Sequence, residues 1–168
     1  MPRVLVPVDG SPNSAYGVRH VVREFMKNRE LDIHLLNVQA PFSSYVGRFA
    51  SSQAQMAFHQ EQSGMALAPA RRLLNRFGIS CNVHAEVGDT ADCIADTARL
   101  LGCERIVMSC ARKSSLVRWV EDSVINQVIE RTTVPVEVIA GDTASNLERV
   151  GIPAGVGAGL LALGVAAM

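Results

Sequence analysis

Residues 105–123, RIVMSCARKSSLVRWVEDS, decide the fold that this chain can adopt. The stretch opens with the apolar run Ile106-Val107-Met108, passes through a polar loop at 109–115, and enters a helical pattern that continues to about Arg131. This order predicts a strand, a loop and a helix, with the loop at the carboxyl end of the strand. In open α/β sheets ligands bind outside that end of the strands, so we expect any ligand site here.

Four further stretches are typical of strands. Residues 4–8 (VLVPV) and 32–38 (DIHLLNV) are nearly continuous apolar runs, which fit strands buried on both faces of a parallel sheet. Residues 79–87 (ISCNVHAEV) alternate apolar and polar side chains, which predicts a strand near a sheet edge. Residues 134–139 (VPVEVI) contain Pro135, and because proline is confined to edge strands or strand starts, this strand is also placed at an edge.

Helical periodicity fills the intervals between these strands. Ser11 followed by Pro12 predicts the N-cap and first residue of a first helix. Residues 53–77 predict a second helix, which Pro69 should kink or split and Gly78 should end. The apolar positions expected to face the core are Ala15, Val18, Val22, Phe25 and Met26 in the first helix, and Met56, Leu67, Ala70, Leu73, Leu74 and Phe77 in the second.

The remaining two helices complete the predicted fold. The turn Gly88-Asp89-Thr90 begins a third helix, which Gly102 ends, and apolar positions from Val120 to Ile129 give the fourth its buried side. Five strands alternating with four helices predict an α/β fold, a doubly wound, five-stranded parallel sheet of flavodoxin-like type with helices on both faces.

The composition limits the classes of partner. The 168 residues suit one domain, and 16 basic against 16 acidic side chains leave no long-range field that attracts nucleic acid. Two basic clusters, Arg71-Arg72-Arg76 and Arg112-Lys113-Arg118, are interpreted as solvated helix faces because no aromatic stacking platform accompanies them. We therefore expect no nucleic-acid partner.

Cysteine and histidine positions predict no metal site. The irregular spacing of Cys81, Cys93, Cys103 and Cys110, without a C-x-x-C, favours neither a zinc site nor a disulfide framework. Most of these thiols are expected to be buried, with Cys110 as the candidate reactive thiol at the mouth of the ligand crevice. His34 is interpreted as a packed histidine because no second ligand type accompanies it, whereas His84 lies on the polar phase of its strand and is expected to be exposed.

Motifs that would indicate an enzyme are absent from the sequence. There is no G-x-G-x-x-G after the first strand, no G-x-x-x-x-G-K-[ST], and no G-x-S-x-G. A phosphorylatable receiver domain would need several acidic residues at the strand ends, and Asp9 stands there essentially alone. The sequence therefore predicts a protein that is not an enzyme.

The loop after the fourth strand carries a family resemblance. Ser109 and Arg112 are separated by two residues, and nine more residues precede Asp122-Ser123. This spacing resembles that of the universal stress protein family, whose nucleotide-binding members have glycine at the first three of these positions and Ser or Thr at the last. The resemblance implies the adenine-nucleotide α-hydrolase-like fold over about residues 2–140. Because the three glycines are replaced and only Ser123 matches, it also implies that ATP is not bound tightly.

Two other segments match the family's nucleotide site. The run Pro7-Val8-Asp9-Gly10-Ser11 is similar to the end of the family's first strand, where the aspartate contacts the adenine and ribose side of a nucleotide. The alternative interpretation is that Asp9 caps the first helix or fixes the turn, and the residues alone leave both roles open. Val38 aligns with a position whose backbone touches adenine. The resemblance thus implies no tightly bound cofactor, with ATP or AMP as the alternative. The candidate nucleotide-binding positions are Pro7, Val8, Asp9, Val38, Ser109, Arg112 and Ser123.

Residues 133–139, TVPVEVI, closely resemble the family's last strand, which commonly pairs across a dimer interface. The implied homodimer interface consists of Val134, Pro135, Val136 and Val138. We expect residues 1–141 to form a non-enzymatic stress-response or regulatory module, with an unidentified protein as a further candidate partner. Residues 142–168 are expected to form a linker with an apolar tail. A nucleotide-binding switch with a modified phosphate loop is the alternative function.

The two ends of the chain bear on its location. The start, MPRVLVPVDG, is too short and too quickly charged for a signal peptide, which favours the cytoplasm. Residues 151–168, GIPAGVGAGLLALGVAAM, carry no charge and would span ~27 Å as a helix, just under the hydrocarbon thickness of ~30 Å. A flexible or partner-docked tail and a membrane-associated tail are the two interpretations of this segment.

Overall fold

The computed structural model describes residues 1–43, 51–112 and 124–143. The strands are β1 (Arg3–Pro7), β2 (Asp32–Gln39), β3 (Asn82–Val87), β4 (Arg105–Arg112) and β5 (Val136–Thr143). The helices are α1 (Ser14–Lys27), α2 (Ser52–Arg76), α3 (Thr90–Leu100) and α4 (Val124–Arg131).

The five strands form one parallel sheet in the order β3-β2-β1-β4-β5. This arrangement confirms the predicted doubly wound α/β fold and the edge positions of β3 and β5. Successive strands are added to one side of β1 up to β3 and to its other side from β4 onward. The point at which the order reverses lies between β1 and β4, and in such sheets a crevice opens there at the carboxyl ends of the strands.

Alternate residues of each strand contribute to two cores on opposite faces of the sheet. Val4 and Val6 of β1 pack with α1 and α2, whereas Leu5 packs on the other face with Ile94 of α3 and Val128 of α4. These five side chains are at most 1% exposed. A shift of one residue in strand register would turn each set away from its helices, so the two cores fix the register.

The helices depart from the predicted pattern at their ends. α1 begins at Ser14 rather than at Pro12, although Ser11 still accepts a 3.3 Å hydrogen bond at Oγ from the N–H of Ser14. Met26, Met56 and Phe77 are exposed, contrary to prediction. Met26 lies beyond the edge of the buried stripe near the end of α1, and Phe77 is already the C-cap residue of α2.

Met56 is exposed because the first half of α2 lies outside the core. The first buried residue of this helix is Ser63, followed by Leu67, Ala70 and Leu74. Pro69 does not split the helix, which is continuous for 25 residues. Gly78 ends it as predicted, with φ of +65° and a 3.0 Å hydrogen bond from its N–H to the carbonyl of Asn75.

Two strands begin later than predicted. β5 starts at Val136, so Val134 and Pro135 precede it, and the carbonyl of Pro135 accepts a 2.8 Å hydrogen bond from the N–H of Ile106. Proline has no N–H for the ladder, which explains why regular pairing begins after it. β3 starts at Asn82, three residues after the predicted beginning.

The membrane question concerns a segment outside the described residues. Within the described residues, no helix combines the length and the apolar character that a membrane crossing requires. The predicted tail at 151–168 and most of the predicted linker lie outside them.

Candidate functional site

A cavity of about 420 Å³ opens at the carboxyl ends of β1, β2 and β4. It is lined by Pro7, Val8, Asp9, Ser11, Asn13, Ser14, Leu36, Val38, Thr90, Ile94, Met108, Ser109, Val124 and Ile125. The structure therefore brings five of the seven predicted site residues together: Pro7, Val8, Asp9, Val38 and Ser109. The side chain of Arg112 and all of Ser123 lie outside the described part of the chain.

The turn between β1 and α1 forms the rim of this cavity. Oδ1 of Asp9 accepts a 2.9 Å hydrogen bond from the N–H of Ser11, and the hydroxyl of Ser14 donates a 2.9 Å hydrogen bond to the carbonyl of Ser11. Gly10 has φ of +81°, and a Cβ at this position would lie 3.1 Å from the backbone Cα of Ala66 in α2. The turn therefore needs glycine at this point, and Asp9 has the turn-fixing role that the sequence left open.

Asp9 supplies a negative charge at the cavity. Burial raises the pKa of its carboxyl, but hydrogen bonds from the hydroxyl and the N–H of Ser11 and from Ser14 outweigh burial, so the pKa is lowered overall. The group is therefore a carboxylate at neutral pH. Among the described residues that line the cavity, Asp9 is the one charged side chain.

Ser109 uses its hydroxyl oxygen to hold α1. Its Oγ accepts a 2.7 Å hydrogen bond from the backbone N–H of Gly17. A Cβ on Gly17 would lie 2.9 Å from this oxygen, so the close approach depends on glycine in the helix. The N–H of Ser14 is bonded to Ser11 and that of Tyr16 to the carbonyl of Asn13. These donors in the first turns of α1 are thus already in use within the protein.

A buried polar network lies behind the cavity wall. Nδ2 of Asn37 donates a 2.7 Å hydrogen bond to the carbonyl of Val8, and Oδ1 of Asn37 accepts from Ser63 at 2.9 Å and from Gln39 at 2.6 Å. Asn37 is 1% exposed. The network ties the end of β1 to β2 and α2 and fixes the backbone next to Asp9. Sequence analysis missed it, although an asparagine inside an apolar strand is a signal that a buried partner is needed.

The N-terminus of α3 is also capped by a carboxylate. Oδ1 of Asp89 accepts hydrogen bonds from the N–H groups of Ala91 at 3.0 Å and Asp92 at 3.1 Å, and Arg131 of α4 lies 2.5 Å away. The backbone hydrogen bond from Asp92 lowers the pKa of Asp89, and Arg131 adds to the effect. This carboxylate occupies N–H groups in the first turn of α3, whereas Asp9 accepts from Ser11 in the turn that precedes α1.

The walls of the cavity are mainly apolar. Hydroxyls of Ser11, Ser14, Thr90 and Ser109 are the nucleophiles among the described lining residues, and Asp9 is the one carboxylate beside them. A hydroxyl needs an adjacent base to act as a nucleophile, and the lowered pKa of Asp9 makes it a weak base. The described lining is suited to holding an apolar or planar group rather than to acid–base chemistry.

The two histidines considered in the sequence analysis, His34 of β2 and His84 of β3, contact each other. His34 is buried as predicted, whereas the prediction that His84 is exposed is wrong. Their rings stack with centroids 5.1 Å apart, and Nδ1 of His34 lies 2.9 Å from Nε2 of His84. Burial lowers the pKa of His84, the charge of His34 adds to this, and Glu86 opposes it. The alternation of polar residues in β3 concealed the contact because its partner is 50 residues away.

All four cysteines are free thiols, as predicted. Cys103 is buried, but Cys81, Cys93 and Cys110 are only half-buried, which corrects the expectation that most are buried. Burial raises the pKa of Cys81, Cys93 and Cys103. Cys110 lies in β4 and is not among the described residues that line the cavity.

Comparison with known sequences gives one match to a family. A model described as "Universal stress protein family" matches residues 1–140. No curated protein matches the sequence at a significant level.

Several solved structures share the fold. A protein described as hypothetical, and presented as a test case of structural genomics, is 22% identical at a TM-score of 0.69, covering 85% of this chain and 98% of that one. A universal stress protein of Arabidopsis thaliana with AMP bound is 16% identical at 0.60, covering 88% and 95%. One of Archaeoglobus fulgidus in complex with dAMP is 21% identical at 0.56, covering 83% and 97%. At these identities the likeness concerns the fold.

Proposed function

The chain belongs to the universal stress protein family, and from that premise we propose that it is a non-catalytic, homodimeric regulatory module of the stress response that does not bind ATP tightly. The observation that carries this proposal is the charge at the cavity. Asp9 is the one charged side chain of the described lining, and it is an anion. Among the described lining residues no cation is available to attract a triphosphate, and the family resemblance assigns the carboxylate of Asp9 to the adenosine rather than to the phosphates.

The state of the helix N-terminus supports the same conclusion. Phosphates bind at helix N-termini because free N–H groups point at them. In α1 the N–H of Ser14 is bonded to Ser11 and the N–H of Gly17 to Ser109. A phosphate at this position would have to displace hydrogen bonds that the protein already makes.

The lowered pKa of Asp9 supports a non-catalytic role, because it makes the one carboxylate of the described lining a weak base. General acid–base catalysis needs a titratable side chain within hydrogen-bond reach of the reacting group. Asp9 is the titratable side chain of the described lining, and its carboxylate accepts the N–H of Ser11. We accordingly assign the protein a binding or regulatory role, which it would exert by binding an unidentified protein partner. The proposed location is the cytoplasm.

The homodimer is proposed through β5. This strand lies at the sheet edge, and Val138 is 43% exposed. An unpaired edge strand with exposed apolar side chains is an aggregation hazard unless a second chain covers it. Pro135, just before the strand, is exposed, whereas Val134 and Val136 of the predicted interface are half-buried and pack partly against the core of their own chain. The family resemblance of this strand, which commonly pairs across a dimer interface, points to a second copy of the chain.

The second candidate function is a nucleotide-binding switch. Apolar side chains of β2, β4 and α3 line the cavity of about 420 Å³, which offers a surface for a purine ring. The structures with AMP and dAMP bound show that other proteins of this fold hold such ligands. A membrane-associated role through residues 151–168 is a separate alternative that rests on the sequence of that segment.

Mass spectrometry of the natively purified protein distinguishes the two functions. Under the proposed function we expect that no nucleotide mass is detected in addition to that of the polypeptide, and that added ATP is not turned over. A nucleotide that remains bound through purification would favour the switch and overturn the proposal. The tail is tested separately by cell fractionation of the full chain and of a variant truncated after Asn146, since recovery of both in the soluble fraction would exclude membrane association.

A further inference from the structure

Three metal-ligating side chains meet between α1 and β5, away from the residues that line the cavity. His20 and Glu24 are four residues apart on α1 and thus lie on the same helix face. Glu137 of β5 pairs in register with Val107, which packs in the core beneath α1 and α2. Among the described residues, these three form the group whose possible ligand atoms all lie within 4.8 Å of one another.

The distances match those between neighbouring ligands of a metal ion. Nε2 of His20 lies 2.9 Å from Oε1 of Glu137 and 3.6 Å from Oε2 of Glu24. Nitrogen and oxygen ligands bind Zn²⁺ at about 2.0–2.2 Å, so two of them in a tetrahedral or octahedral arrangement are separated by roughly 2.9–3.5 Å. The side chains already have nearly the spacing that an ion between them requires.

One atom of the group lacks a properly aligned partner. Nε2 of His20 is inaccessible to solvent and makes no hydrogen bond among the described residues, although two carboxylate oxygens face it. A buried ring nitrogen without an aligned donor or acceptor is unfavourable in the absence of a ligand. The same nitrogen, facing two carboxylates, has the position of a metal ligand.

Arg105 is the competing cation. Its Nη2 lies 2.5 Å from Oε2 of Glu24, and its Nε lies 3.7 Å from Oε2 of Glu137. Apart from the imidazole of His20, the two carboxylates and one guanidinium carry a net negative charge, at side chains only 28–36% exposed. A bound divalent ion would compensate this charge and take over the position at Glu24 that the guanidinium now holds.

We propose that His20, Glu24 and Glu137 form a binding site for a divalent first-row transition-metal ion, with Arg105 as a competitor that weakens the site. One imidazole and two carboxylates favour ions such as Zn²⁺, Mn²⁺ or Co²⁺ over Ca²⁺ and Mg²⁺, which prefer oxygen ligands throughout. Three protein ligands leave the remaining positions to water. The ion would join α1 to the edge strand β5. The four cysteines and His34, from which the sequence predicts no metal site, are not part of this group.

The test is a titration of the chelator-treated full chain with Co²⁺, followed by visible absorption and by thermal unfolding. Co²⁺ distinguishes this site from adventitious binding at cysteine because thiolate ligands add intense charge-transfer bands. We expect one ion per chain, a spectrum without those bands, and a higher unfolding temperature. His20→Gln and Glu137→Gln should each weaken binding by about 100-fold.

Arg105→Gln provides the decisive variant. If Arg105 competes with the ion, its removal should strengthen Co²⁺ binding about tenfold or more. Glu86→Gln, which changes an exposed carboxylate of β3 outside the group, is the matched control and should leave the affinity unchanged. Equal binding by the wild type and His20→Gln, or no binding by either the wild type or Arg105→Gln, would overturn the proposal and leave these residues as an ion-pair network only. Circular dichroism of each variant verifies that it is folded.

Discussion

Ser109 in β4 and Gly17 in α1 are joined by a 2.7 Å hydrogen bond in which the N–H of Gly17 donates to Oγ of Ser109. The contact spans 92 residues of sequence and links the helix to the strand on which it packs. Ser109 stands where nucleotide-binding members of the family have the first glycine of the loop motif, and its hydroxyl here contacts the backbone of α1. The same contact fixes the residue type on both sides, because a Cβ on Gly17 would lie 2.9 Å from that oxygen.

The first prediction concerns this pair. Ser109→Ala should lower the free energy of unfolding by about 1–2 kcal/mol, because the N–H of the buried Gly17 loses its acceptor. Gly17→Ala should destabilise the wild type through the close contact with Oγ. In the Ser109→Ala background the same change should be neutral or stabilising, since alanine is favoured over glycine in a helix by about 1 kcal/mol. Urea denaturation of the four proteins measures this; additive effects would show that the two residues are not coupled.

The second prediction concerns the buried network at Asn37. Asn37→Ala should destabilise the protein by about 2–4 kcal/mol, because the carbonyl of Val8 and the hydroxyl of Ser63 lose their partners in the interior. Gln39→Ala is the control. It should lower the free energy of unfolding by no more than about 1.5 kcal/mol, since Gln39 is only half-buried and its substitution removes a single hydrogen bond. Equal losses in urea denaturation would mean that Asn37 does not organise the network.

The third prediction is a pH dependence of stability at His84. Its pKa in the folded protein is lowered from 6.5, so the unfolded chain takes up a proton at a higher pH than the folded one. The folded state is thus favoured above 6.5, and this contribution is lost as the pH falls from 6.5 through the lower folded value.

His84→Gln should flatten this loss between about pH 7.5 and about pH 5.5, where a histidine titrates. If His84→Gln loses as much free energy of unfolding as the wild type on acidification, the ring pair does not set the pH dependence.

The fourth prediction tests the dimer. Light scattering at micromolar concentration should give about twice the chain mass of 18.0 kDa. Val138→Lys on β5 should produce a monomer, because a charge would be buried at the interface. Val83→Lys is a matched control on the opposite edge strand β3, with 41% exposure against 43% for Val138. A monomeric wild type, or a dimer that Val83→Lys disrupts and Val138→Lys does not, would place the interface elsewhere or remove it.

The fold could be predicted from the sequence because its signals are local. The apolar run at 106–108, the alternation in 79–87 and Pro135 each indicate a strand and its place in the sheet. Right-handed crossovers then leave few possible arrangements of five parallel strands. Errors such as Met56 arose where a helix extends beyond the core, because helical periodicity shows which face is apolar but not how far the sheet reaches.

The candidate site could be predicted only as positions along the chain. Asp9, Val38 and Ser109 line one cavity, as strand ends at a point where the strand order reverses. The direction of each side chain was not accessible, because it depends on a partner distant in sequence. Ser109 accepts a hydrogen bond from Gly17, and Asn37 accepts one from Ser63. The asparagine in an apolar strand indicates that a buried partner is needed, but no sequence pattern identifies the partner in either pair.

The proposed function is also supported by the residues that replace the family's glycines at positions 109, 112 and 122. A phosphate-binding loop needs glycine because its backbone adopts strained angles and its N–H groups must approach phosphate oxygens without a Cβ in the way. The combined replacement of Ser109, Arg112 and Asp122 by glycine should therefore improve ATP binding. Adding Asp9→Ala to this variant should remove the gain, because the resemblance assigns Asp9 to adenosine recognition.

Isothermal titration calorimetry of the unmodified full chain with ATP and Mg²⁺ at neutral pH tests the central claim most directly. The account predicts either no measurable heat of binding or a dissociation constant of about 1 mM or weaker, which corresponds to roughly 4 kcal/mol of binding free energy or less. A dissociation constant of about 1 µM would contradict it, and would make the nucleotide switch the function of this protein.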